Sequence, residues 1–138
     1  MLDHRGRLAL SVWDSNSMGV YTGAVSAALA QFVGHEVAAR FIASRKAPTA
    51  AELQRLAMEA DFAAVEVSVH RVNLHLPRID KFVLDHLSAT PVAAAIDAVD
   101  AEAREKIGVS VMEQLQRYAD GGGITYPEET CVLTARAG

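Results

Sequence analysis

The stretch RGRLALSVWD at positions 5–14 decides the fold. Leu8, Ala9, Leu10, Val12 and Trp13 make a short, nearly continuous apolar run, introduced by Gly6 and closed by Asp14, Ser15, Asn16 and Ser17. A run without alternation suits a strand buried on both faces, as in a parallel sheet covered by helices. It arrives with almost nothing in front of it, as a late strand of a large sheet would if the earlier strands were missing.

Composition narrows the class. With 138 residues, 51% of them hydrophobic, the chain has the size of one domain and enough apolar surface to build a core. A formal charge of −4, with Lys and Arg scattered singly, leaves no basic stripe to neutralise phosphates, which argues against a nucleic-acid surface. The single cysteine, Cys131, excludes an internal disulfide and suits a reducing compartment. No apolar run approaches the roughly 20 residues of a membrane span, and no signal-peptide pattern opens the chain, so a cytoplasmic protein is expected.

Periodicity supplies the other elements. Val20, Tyr21, Ala24, Val25, Ala28, Leu29 and Phe32 form one helical stripe over about 18–33, with Gly34 as a stop or kink. A shorter helix over 35–44 would bury Val37, Phe41 and Ile42. Thr49 and Glu52 fit a capping box at the start of a helix that would bury Leu53, Leu56, Ala57 and Ala60. At its exit, Asp61 occupies a position suited to the left-handed conformation. Residues 63–76 read as a long strand in which Val65, Val67 and Val69 alternate with Glu66, Ser68 and His70, the asymmetry of an edge strand. Ile79, Phe82, Val83 and Leu87 form a further stripe, 92–99 a short helix, and Asp100 caps a helix burying Ile107, Val111 and Leu115. A last strand spans about 129–135. With no repeat or linker, one domain over 1–138 is expected.

Chemical constellations are sparse. His4, His35, His70, His75 and His86 show no metal-ligand spacing, and His70 and His75 fall on opposite faces of a regular strand. Ser11, Ser15 and Ser17 sit in no nucleophile elbow. Gly121, Gly122 and Gly123 follow a helix pattern and precede an apolar segment, so they read as a helix stop and turn rather than a nucleotide cradle. Cys131, inside the last strand, reads as a buried inert thiol.

Several segments together carry a family likeness. LDHRG before the first strand resembles the LKPGG turn that leads into the fifth strand of class I S-adenosylmethionine-dependent methyltransferases. AELQRLAMEADF resembles their ELRRLLEEAGF helix exit, AAVEVSVHRV their sixth strand and ETCVLTARA their seventh, although Asp61 replaces the usual glycine. RIDKFVLDHLSATP resembles an insertion of the small-molecule, ubiquinone/menaquinone-biosynthesis type. The likeness runs from about residue 3 to 136 and covers only the C-terminal half of that family.

The resemblance implies an α/β chain with a partial Rossmann-like methyltransferase fold: a three-stranded mixed sheet in the order five, seven, six, the seventh strand antiparallel in the middle, with substrate-cover helices inserted at about 77–120. The parent family moves a methyl group from S-adenosylmethionine to a small acceptor. Its glycine-rich turn and ribose-binding acid lie in the half this chain lacks, so no cofactor is expected for this chain alone. Trp13 and Asp14, at the end of the first strand, and Met18, Tyr21 and Phe82, on covering segments, become substrate-binding candidates. Each also has a packing reading: Trp13 as core filler, Asp14 as a cap, the other three as core. No catalytic, cofactor-binding or metal residues are assigned. The outer edge of Arg7–Trp13 calls for a partner, either a second copy or a complementary N-terminal chain. Three functions stay open: an inactive, self-associating methyltransferase-related fragment, half of a split methyltransferase, or a non-catalytic module for dimerisation or for binding a small apolar ligand.

Overall fold

The computed structural model describes residues 6–14 and 18–137. Positions 2–5 of the LDHRG turn, His4 among them, and the polar run 15–17 lie outside the described residues. The elements run β1 (Arg7–Trp13), α1 (Val20–Phe32), α2 (His35–Ala43), α3 (Ala50–Glu59), β2 (Phe62–Leu76), α4 (Ile79–Ser88), α5 (Ala93–Asp97), α6 (Ala101–Leu115), a 3-10 turn (Gln116–Tyr118), β3 (Ala119–Asp120) and β4 (Gly123–Ala137). No helix among the described residues is long and apolar enough to cross a membrane.

The strands form a four-stranded antiparallel sheet in the order β1-β4-β2, with β3 also paired to β4. The last strand thus lies between the first and second. A three-stranded mixed sheet with the last strand antiparallel in the middle was expected; the middle position is as observed, and because β4 separates β1 from β2 no parallel pair exists, so the sheet is antiparallel rather than mixed. The glycines add the fourth strand: Gly121 and Gly122 both have positive φ, 57° and 99°, and close a two-residue turn that folds Ala119 and Asp120 back on Gly123 and Ile124. They make a hairpin, not a helix stop.

The described residues fall into two compact units. One contains β1, α3, β2 up to residue 72 and β4 from residue 128. Its core is Leu53, Ala57, Cys131, Leu133 and Ala135, with Leu8, Leu10, Val12, Phe62, Val65 and Val67 packed around it. Here β1 alternates: Leu8, Leu10 and Val12 turn towards the core, while Arg7, Ala9, Ser11 and Trp13 are exposed. The expectation of burial on both faces is therefore corrected, and Trp13, 49% exposed, is not core filler. Ala9 and Ser11 are small enough to make an alternating strand look continuous. The sheet's β2 edge carries a backbone irregularity at Ala64, φ 47°, which puts Phe62 and Val65 inside although they are three apart.

Helix α3 starts where the capping box was read. The Thr49 side chain accepts from the Glu52 N–H, and the Thr49 N–H donates to Glu52 at 2.8 Å. Asp61, at its exit, has φ 60°. Leu53 and Ala57 are buried, but Leu56 (45% exposed), Ala60 and Val69 are not. A helix of ten residues is about 15 Å long, too short to cover a 15-residue strand of about 50 Å.

The other unit holds α1, α2, α4, α5, α6, β3 and the remaining parts of β2 and β4. Val25, Ala28, Leu29, Phe41, Val83, Leu87, Val92, Ile107, Val111 and Leu115 are almost completely buried in its core. Full burial of each large apolar side chain contributes about 1.5–3 kcal/mol, which makes this stripe packing the main support of the helices. Gly34 separates α1 from α2 with φ 141°, a conformation that L side chains rarely adopt. Asp100 caps α6 by accepting from the Ala103 N–H at 2.7 Å. Gly123 packs directly on the end of β2, and a Cβ there would lie 2.4 Å from the Leu76 carbonyl oxygen.

Candidate functional site

The helical unit gathers its polar and aromatic side chains at one place. Tyr21 stands in the first turn of α1, in register with the buried stripe Ala24, Val25, Ala28 and Leu29. On α4, Ile79, Val83 and Leu87 face the core, and Phe82 and His86, four residues apart and so stacked on one flank, lie beside them. Phe41 is buried near the end of α2, and Arg45 follows just beyond it.

These residues close around the His86 imidazole. The Tyr21 hydroxyl is 2.9 Å from Nδ1, and the Arg45 guanidinium contacts Nε2. Phe82 stacks on the ring at 5.5 Å and 11°, Tyr21 meets Phe82 edge-on at 5.6 Å and 63°, and Phe41 meets His86 at 6.2 Å and 76°. The Arg45 guanidinium also lies 5.3 Å over the Phe41 ring.

The chemistry of the donors fixes the tautomer. A guanidinium can only donate, so Nε2 must accept and Nδ1 must carry the proton, which it gives to the Tyr21 oxygen. Electrostatics agree: burial, and then the neighbouring Arg45 charge, push the His86 pKa below its ordinary 6.5, so the imidazole is neutral at pH 7. Burial raises the Tyr21 phenol well above its usual value, with the Tyr126 phenol adding to the effect, so Tyr21 stays protonated. With both ring nitrogens occupied, His86 orients groups rather than serving as a free base. Among the described residues no carboxylate forms an ion pair with Arg45.

Of the five residues expected at a substrate site, Tyr21 and Phe82 are brought into contact. Met18, 62% exposed, precedes α1 in the same unit. Trp13 and Asp14 belong to the other unit. Asp14 is 8% exposed; its N–H donates to the Glu129 carbonyl at 2.9 Å, and its carboxylate lies 3.8 Å from the Cys131 Sγ. Burial, and then the Asp14 carboxylate, raise the Cys131 pKa, the setting of an inert thiol. Sequence reasoning missed His86, Phe41 and Arg45. For His86 the one signal in the sequence is its i+4 spacing from Phe82.

Other features compete weakly. His70 bonds Ser68 at 2.8 Å within β2 and His75 bonds Thr125 of β4 at 2.9 Å. No group of metal-ligating side chains occurs among the described residues. An open groove of about 440 Å³ lies along α3, lined by Ala51, Gln54, Arg55, Met58 and Glu59, where Arg55 and Glu59 already pair at 2.7 Å. The glycines at 121–123 do not fit a nucleoside cradle, because the first two form the hairpin turn and the third is pressed against the Leu76 carbonyl.

In comparisons with known proteins, no family model matches the chain and no curated protein is significantly similar to it.

Proposed function

We propose that this chain is the acceptor-side, C-terminal half of a class I S-adenosylmethionine-dependent methyltransferase-type protein, which holds a small, flat, apolar molecule against Phe82 and His86 and transfers no methyl group by itself. The observation that carries this reading is the convergence of Tyr21, Phe82 and His86. They stand on the two segments that the resemblance assigns to acceptor cover, the one after the first strand and the insertion at about 77–120. The strand order β1-β4-β2, with the last strand in the middle, also supports it.

Phe82 is 37% exposed while stacked on the His86 imidazole, so part of the side chain is reachable from solvent. Aromatic ligands gain from stacking there, on the order of 1 kcal/mol beyond area burial. The chain's contribution to methyl transfer is then positioning, the main protein contribution to a direct displacement. Calorimetric titration tests both parts. Binding of a simple phenol or naphthol, lost in Phe82→Ala, is expected, with no micromolar binding of S-adenosylhomocysteine to the chain alone. Micromolar binding of that cofactor product, or phenol binding indifferent to Phe82, would overturn the proposal.

The second reading is a non-catalytic ligand-binding module. It is favoured by one observation: both nitrogens of His86 are engaged within the chain, which leaves no general base at the site.

A further inference from the structure

The two outer strands of the sheet are protected unequally. β2 carries Glu66, His70, Arg71, Asn73 and His75 along its length and the irregularity at Ala64, devices that discourage pairing with another strand. β1 has no proline, glycine or bulge and a single charge, Arg7, at its start. Its core-facing Leu8, Leu10 and Val12 are only partly buried.

The ladder fixes which backbone groups of β1 are left over. The Asp14 N–H donates to the Glu129 carbonyl and the Ala137 N–H donates to the Gly6 carbonyl, so the even-numbered residues of β1 exchange hydrogen bonds with β4. The N–H and C=O groups of Arg7, Ala9, Ser11 and Trp13 therefore point to the outer edge. Among the described residues no strand pairs there.

We propose that this edge pairs with β1 of a second copy of the chain, antiparallel about a two-fold axis at Leu10. That register sets odd residues against odd residues, as the free groups require: Arg7 faces Trp13 of the copy and Ala9 faces its Ser11. On the core side Leu8 faces Val12 of the copy and Leu10 faces its equivalent, extending one apolar face across both molecules. The Arg7 pairing is complementary in charge as well. Within the chain Arg7 lies opposite Arg136, a like-charge neighbour. An indole 49% exposed in the single chain would place its electron-rich face beside that guanidinium. A two-fold contact is self-complementary by necessity; axes at Ala9 or Ser11 would also set odd residues against odd ones, but only the axis at Leu10 pairs all seven residues of RLALSVW and brings Arg7 opposite Trp13.

Sedimentation of the full chain tests the pairing, and cross-linking tests the register. The wild-type chain is expected at twice 14.8 kDa at a concentration of about 100 μM, dissociating on dilution. Ala9→Pro removes an outward N–H that β4 does not use, and it should weaken association by about tenfold or more while the circular dichroism is unchanged. A mixture of Ala9→Cys and Ser11→Cys chains should oxidise mainly to the mixed disulfide, since residues facing in a narrow pair stand about 5.5 Å apart at Cα. The fully buried Cys131 does not compete. A 14.8 kDa species at about 100 μM would overturn the proposal, as would a dimer unaffected by Ala9→Pro or equal yields of like and mixed disulfides.

Discussion

Replacing Tyr21 by Phe removes one oxygen and keeps the ring, so it isolates the hydrogen bond that organises the aromatic cluster. Tyr21 is 6% exposed and its hydroxyl lies 2.9 Å from Nδ1 of His86. A net hydrogen bond is worth about 0.5–1.5 kcal/mol, and because His86 is only half-buried, water can reach the freed N–H, which favours about 1 kcal/mol or less. Tyr21→Ala, which also empties the ring's place against Val25 and Phe82, should cost about 3–5 kcal/mol. The pH dependence supplies a second handle. The folded chain holds His86 below its ordinary pKa through burial and Arg45, so the unfolded chain takes up the proton first as pH falls. This contribution to stability is complete above the ordinary histidine range, begins to fall near pH 6.5 and is lost as pH drops through the lower pKa of the folded chain. One proton limits the slope to about 1.4 kcal/mol per pH unit. Urea denaturation of wild type, Tyr21→Phe and His86→Asn between pH 5 and 8 measures all of this. If His86→Asn keeps the full acid-side slope of wild type, or Tyr21→Phe costs as much as Tyr21→Ala, the reasoning about this cluster fails.

Three further outcomes are expected. Gly123→Ala forces a Cβ against the Leu76 carbonyl, so it should destabilise by about 3 kcal/mol, and an unchanged melting temperature would show that the hairpin can shift instead. Thr49→Ala should cost about 1 kcal/mol by chemical denaturation. The Glu52 pKa, held low by the Thr49 N–H and hydroxyl, should rise towards its usual value in NMR titration of that variant; an unmoved Glu52 would remove the capping box from the explanation. Cys131 should resist an aromatic disulfide reagent in the native state at pH 8 and react on unfolding, whereas rapid native labelling would contradict its burial.

The helices were legible because their signals are local and redundant. Thr49 with Glu52 and Asp100 each announce a start, the stripes of α1 and α6 repeat at helical spacing, and Gly34 marks a break. The order β1-β4-β2 coincides with the one expected, whereas no local signal in the sequence fixes it. What could not be read from the sequence depended on which neighbour covers which face. LALSVW suits a strand buried on one face or on both, and only its pairing with β4 and the core beneath it decides. The short β3 was invisible because two residues carry no period. At the site, Tyr21 and Phe82 were readable as members of helical stripes, yet Arg45 lies 41 residues from His86, a separation that no local spacing encodes.

NMR of the His86 ring during titration with a simple phenol tests the proposed acceptor site most directly. Saturable shifts of the His86 ring and Phe82 ring protons are predicted, with the imidazole remaining neutral at pH 7 and the shifts lost in Phe82→Ala. A ring spectrum indifferent to phenol, or shifts confined to the α3 groove at Gln54 and Met58, would contradict it.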